Sequence, residues 1–180
     1  MKPQVIASTI TTLLLTAMLP GFIRAEDPTA KARERIGVYD SRAVAIAFAG
    51  STHLKRELAE LSAKHKKAKA AGDEKEASRL EAEGQARQTK LHQQGFSTAP
   101  IEDLLAHVSG DLPKIKSAAG VTAIISKWDT AELEKHRGAE KVDVTTALIE
   151  AFTPDERARK YALEIQQKAP VPREQIDRKD

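Results

Sequence analysis

The chain has no cysteine and a single tryptophan, and aromatic residues make up only 4% of its 180 positions. Without cysteine there is no disulfide framework, no thiol nucleophile and no N-terminal cysteine to carry a lipid. Scarce aromatics remove the stacking platforms on which single-stranded nucleic acid binds. Beyond residue 25 no apolar run approaches the roughly 20 residues that a bilayer span needs. The catalytic signatures that a sequence can display are missing as well. There is no Gly-x-Ser-x-Gly elbow, no glycine loop for phosphate and no pair of histidines at helical zinc spacing. These absences predict a protein that is not an enzyme and holds no cofactor or metal.

What is present begins with one uncharged stretch in a chain that is 31% charged. Lys2 precedes residues 5–19, which carry no charge, and Pro20-Gly21 then breaks the segment ahead of the small residue Ala25. This order predicts a secretory signal peptide over residues 1–25, cut between Ala25 and Glu26. Removing it takes Lys2 and Arg24 and no acid, which leaves 27 basic against 26 acidic residues, a net charge of +1. The isoelectric point of 9.1 for the whole chain is therefore a poor argument for a nucleic-acid partner, and none is expected. The mature chain is expected to be periplasmic.

From residue 36 the hydrophobic period changes several times. Residues 36–39 read as a strand, and Asp40-Ser41 as the cap of a helix. The apolar block of residues 43–50 predicts a helix segment enclosed on all sides, packed on the sheet. Beyond Gly50 the same helix is expected to continue with only a seam left apolar. Val44, Ala47, Ser51, Leu54, Leu58, Leu61, His65 and Ala68 recur at alternating intervals of three and four, a weak heptad pattern. Gly72 suits the end of this helix, and Asp73 suits the start of the next, whose sparser stripe is Ala77, Leu80, Gly84 and Leu91. Two helices joined by so tight a turn predict an antiparallel hairpin. Lys64, Lys66, Lys67 and Lys69 then face Asp73, Glu74, Glu76, Glu81 and Glu83 across the turn. The same register sets His53 beside His92, either as ordinary surface histidines or as a two-histidine site for a metal or proton. It also sets Gly50 beside Gly95, where a hinge is expected; the alternative is that Gly50 lets Phe96 pack close.

Pro100 opens a short amphipathic helix with Ile101, Leu104, Leu105 and Val108 inward, and Pro113 restarts the helix that ends at Gly120. Residues 121–128, β-branched and apolar, predict a central strand, and the alternation in residues 131–135 predicts an edge strand. A helix over residues 142–152 is expected to be capped by Asp143 or Thr145. The run Thr153-Pro154-Asp155-Glu156 resembles a capping box for a further helix with Ala158, Tyr161, Ala162 and Ile165 on one stripe. Asp40 and Asp129 both end strands and read as caps or turns rather than a catalytic carboxylate pair, and Trp128 reads as a residue at the rim of the core. The fold class is therefore α+β. A small three-stranded sheet head (residues 34–50 and 99–168) carries a protruding antiparallel helical hairpin (residues 51–94), a coiled-coil arm, and C-terminal helices. Residues 169–180 are expected to be a disordered tail.

A short strand, a long helical hairpin, a return strand, an edge strand and a closing helix form an uncommon order. In this layout, and in the strings "RIGVYDSRAV", "AAGVTAIISKWD" and "VDVTTALIEAF", the chain resembles the Skp/OmpH-like periplasmic chaperones. The resemblance frames most of residues 34–152. It implies a homotrimer built through the small sheets, with helical arms that enclose unfolded outer-membrane proteins without nucleotide. The chain departs from that pattern in its arm, about 20 residues per limb or roughly 30 Å, and in the helix and tail after Pro154. In this light Leu54, Leu58 and Leu61 are the candidate client or partner surface. Lys64, Lys66, Lys67 and Lys69 are candidate contacts for acidic client segments or an anionic membrane surface. The reading of different class is a non-catalytic adaptor or structural protein, its hairpin docked on one specific partner.

Overall fold

The computed structural model describes residues 33–176. The expected signal peptide with its Ala25/Glu26 cut, and residues 177–180 of the tail, lie outside the described residues. The protein is a mixed helix and sheet fold. Strand β1 (Arg35–Tyr39) lies in the middle of a parallel three-stranded sheet of order β2-β1-β3, in which β2 is Ala123–Ser126 and β3 is Glu140–Asp143. Ile36 stands opposite Ala123 on one side and Lys141 on the other. Parallel neighbours need long crossovers, and here the crossover from β1 to β2 contains every helix up to residue 119.

Three strand assignments differ from the sequence reading. Residues 121–128, expected as the central strand, supply an edge, because both partners pair with β1. Residues 131–135, expected as an edge strand, form helix α6 (Thr130–Lys135) instead. The Asp129 carboxylate accepts a hydrogen bond from the Glu132 amide at 2.9 Å, and this cap outweighs an apolar alternation only a few residues long. The third strand is Glu140–Asp143, a polar stretch partly read as the start of a helix. Its pairing with β1, not its own composition, makes it a strand. Helix α7 (Thr145–Ala151) follows, with the Thr145 amide donating to the Asp143 carboxylate at 2.8 Å.

Helix α1 (Ser41–Ala49) is buried along most of its length, as the apolar block predicts. Its neighbours, however, are mainly α3, α7 and α8 rather than the sheet. The expected continuous helix is also interrupted. Gly50 ends α1, and the Ser51 hydroxyl accepts from the Leu54 amide at 3.3 Å while donating to the Phe48 carbonyl at 2.6 Å, so α2 (Thr52–Ala70) starts anew. A hydroxyl that satisfies the ends of two helices at once favours a break over continuity.

Gly72 adopts φ 71° and the Asp73 carboxylate caps α3 (Glu74–Phe96), donor and acceptor chemistry that the sequence makes plain. Contacts between α2 and α3 run from Ala68 with Ala77 and Leu80 near the turn, through Leu61 beside Gly84, to an Arg87–Glu57 ion pair. Helix α4 (Glu102–Leu105), a 3₁₀ turn (Ala106–Val108) and α5 (Leu112–Ala119) follow, with Ile101, Leu104 and Val108 buried as expected. Gly120 terminates α5 at φ 64°.

Helix α8 (Glu156–Ile165) is capped by Asp155, whose carboxylate accepts from the Ala158 amide at 2.9 Å. Thr153, placed in the expected capping box, instead turns the chain at φ 45° before Pro154. Part of the tail is ordered: the Val171 amide donates to the Phe96 carbonyl at 2.8 Å, and α9 (Arg173–Ile176) buries Ile176.

Candidate functional site

Two arrangements stand out, one closed and one open. The closed one lies where β1 and β2 end. Asp40 and Arg42 are each 1% exposed at the side chain and paired through two bonds, Nε to Oδ1 at 3.1 Å and Nη2 to Oδ2 at 2.8 Å. Lys127 approaches Oδ2 at 2.7 Å, and the Trp128 indole donates to Oδ1 at 3.3 Å. Arg42 and Lys127 both lie over the Trp128 ring, at 5.0 and 4.7 Å from its centroid. The remaining arm of Arg42 donates to the Lys168 carbonyl at 2.9 Å, which ties the chain after α8 to the start of α1.

Burial pushes the Asp40 carboxyl up, but hydrogen bonds from Arg42 and Lys127, together with their charges, outweigh it and hold the group below the ordinary carboxylate range. Both Asp40 oxygens are engaged and the side chain is almost fully shielded, so the cluster acts as a structural clamp. Asp129 does not join it as a second carboxylate; it caps α6. Nearby Tyr39 has its phenol pushed up by burial and by the negative charges of Glu102 and Asp129. The sequence signal for this clamp is Arg42, the one charge inside "SRAVAIAFAG".

The open arrangement is a groove of about 690 Å³. Helices α3 and α8 both pack on α1. Between them α1 contributes an apolar floor of Ala45, Ile46 and Ala49. Leu58, Phe96 and Tyr161 border the groove and are 45%, 44% and 48% exposed. Three of the five exposed large apolar side chains of the described residues are therefore gathered on this face. Gly84 and Gly95 open it further from the α3 side.

The sequence-predicted surface is divided by the structure. Leu54 is buried, 5% exposed, in the main core, and Leu61 packs beside Ala68, Ala77 and Leu80. Only Leu58 of the three offers a largely open side chain. Lys64, Lys66 and Lys67 are exposed, and so is Lys69, which pairs with Glu74 across the turn at 2.8 Å. Lys64 acts more weakly, as one of the charges that lower the Glu76 carboxyl after its hydrogen bond from Arg79.

The residues of the two expected pairs, Gly50 with Gly95 and His53 with His92, each have another close neighbour. A Cβ on Gly50 would lie 2.1 Å from the Ala158 Cβ, whereas one on Gly95 would meet Ile46 at 3.6 Å. Gly50 thus serves a close approach of α8, not of Phe96, and α3 stays helical past Gly95. His53 faces His107, ring centroids 5.6 Å apart, while His92 lies 5.9 Å from the ring of Phe96. Among the described residues no group of three or more metal-ligating side chains occurs, and no helix is long and apolar enough to cross a membrane.

No family model, curated protein or solved structure matches the chain. The likeness to the Skp/OmpH-like chaperones therefore rests on the layout and on the three strings quoted above.

Proposed function

We propose that this chain is a periplasmic holdase-type chaperone that shields segments of unfolded exported or outer-membrane proteins without nucleotide. The observation that carries the reading is the gathering of Leu58, Phe96 and Tyr161 around one apolar groove. Soluble monomers seldom leave contiguous apolar surface of this kind uncovered unless it binds something. In this reading α2 and α3 form an antiparallel hairpin that protrudes as an arm, and the lysines near its turn meet acidic client segments or an anionic membrane surface. Among the described residues the outer edges of β2 and β3 have no partner strand, which suits a homotrimer joined through the sheet, since exposed edges otherwise invite uncontrolled pairing.

The test is light scattering from several unrelated unfolded polypeptides diluted into buffer with and without a stoichiometric amount of the protein. Suppressed aggregation for most of them is expected. Suppression of none, or tight binding of one folded partner alone, would instead assign the chain as an adaptor. A mass measurement in solution checks the trimer, and a monodisperse monomer at micromolar concentration would refute it.

A further inference from the structure

We infer that the groove between α3 and α8 receives an amphipathic helical segment of a client polypeptide, apolar on one face and acidic along its edges. The inference rests on the reading that the chain binds unfolded polypeptides, and it adds where and with what chemistry. Residues 84–96 of α3 form one wall, about 18 Å long at 1.5 Å per residue. Along it Leu91 and Phe96 face the groove, and on the other wall so do Tyr161 and Ile165. Helix α1 forms the floor, so three helices present stripes to one vacancy. That is the geometry a further helix fills, with anchors at i, i+3 or i+4, and i+7.

The rim decides the charge of the occupant. Arg157 and Lys168 border the groove, and Arg157 lies 5.5 Å over the Tyr161 ring. Asp155, whose carboxyl also feels the charge of Arg157, pairs with Lys55 at 3.0 Å, and Glu164, the one carboxylate among the residues lining the groove, reaches Lys160 at 3.9 Å. Among the described residues neither Arg157 nor Lys168 has an ion-pair partner, so the rim carries positive charge that a carboxylate-bearing segment complements. A second copy of this chain would set two positively rimmed faces against each other in an isologous contact. An anionic bilayer, being flat, does not enter a cleft walled by two helices.

The experiment uses the full mature chain and three dye-labelled peptides of about 14 residues, read by fluorescence anisotropy. The first has leucines at i, i+3, i+7 and i+10 with flanking glutamates. The second replaces the glutamates by lysines, and the third scrambles the leucines. The first should bind at least tenfold tighter than either of the others, with the advantage over the lysine peptide shrinking as salt rises. Phe96→Ala/Tyr161→Ala, two changes at exposed positions, should weaken it about tenfold with the circular dichroism unchanged. Arg157→Glu/Lys168→Glu should reverse the preference in favour of the lysine peptide.

Equal binding of all three peptides, a preference untouched by the charge reversal, or an oligomer that dissociates in the alanine variant would overturn the inference. The aggregation assay separates this outcome from the proposed function. Suppression by the wild type with no peptide binding sinks the groove alone. Peptide binding without suppression leaves the groove standing and sinks the holdase reading.

Discussion

Replacing Gly50 by alanine decides whether the joint between α1 and α2 is a packed contact or a free hinge. The backbone there, at φ −90° and ψ 1°, is open to any residue, so alanine meets no conformational strain. In the unfolded chain the methyl group removes freedom, which stabilises by about 0.4 to 1 kcal/mol. Against this stands the Ala158 Cβ, 2.1 Å from where the new Cβ must sit. Carbon atoms rest at about 3.5 to 4.0 Å, so α8 has to retreat or tilt. It is held at its start by the Asp155 amide bonded to the Gly50 carbonyl at 3.3 Å, and beyond its end by Arg42 on the Lys168 carbonyl at 2.9 Å. Overpacking of this kind costs about 1 to 3 kcal/mol.

Contact therefore outweighs entropy, and Gly50→Ala should destabilise the protein by about 1 to 2 kcal/mol, a fall in Tm of roughly 3 to 8 °C. Ala158→Gly, which weakens a helix, should cost about 1 kcal/mol alone, but in the double variant the clash is gone. Urea unfolding of the four proteins, followed by far-ultraviolet circular dichroism, should give the double variant a stability no lower than Ala158→Gly by itself. Additive losses, or a Gly50→Ala protein more stable than the wild type, would refute the packing argument. The second result, accompanied by slower capture of a large unfolded client, would restore the hinge.

Asp40→Asn leaves Arg42 buried without its counter-charge and should cost about 3 to 5 kcal/mol. Because the Asp40 carboxyl is held below its ordinary value, its contribution is complete above the unfolded value of about 3.9 and fades as pH falls through the folded one. The wild type should therefore lose stability in acid more steeply than Asp40→Asn. Gly84→Ala should stabilise by about 0.5 to 1 kcal/mol, since the added carbon meets Leu61 at an ordinary 3.6 Å in a helix interior. Any loss of Tm would show that the α2–α3 contact is tighter than this. Replacing Lys64, Lys66, Lys67 and Lys69 with glutamate should speed amide exchange near the turn while the protection of β1 and α1 stays unchanged. Cooperative unfolding of both would mean that α2 and α3 do not form a separable arm.

The elements legible in the sequence are those whose determinants sit within a few residues. Gly72 and Asp73 define the turn between α2 and α3 unaided, and the apolar block after Asp40 announces a buried helix. What escaped is decided by partners far along the chain. Glu140–Asp143 is a strand because β1 is there to pair with it, whereas the better-patterned residues 131–135 become a helix under the Asp129 cap. Arg42 looks like a flaw in an apolar run until Lys127, Trp128 and the Lys168 carbonyl arrive from 85 or more residues away. The groove has the same character. Tyr161 and Ile165 lie on a stripe that any helical reading finds, and such a stripe is normally taken to be covered. Whether it is covered depends on how close α8 comes to α1. The glycine at position 50 lets Ala158 approach there, while Ala45 and Ala49 are too small to fill the space between α8 and α3. The small residues that bring the helices together at one end thus leave the cleft open at the other, which makes close packing at Gly50 and apolar exposure at Tyr161 two results of one local sequence.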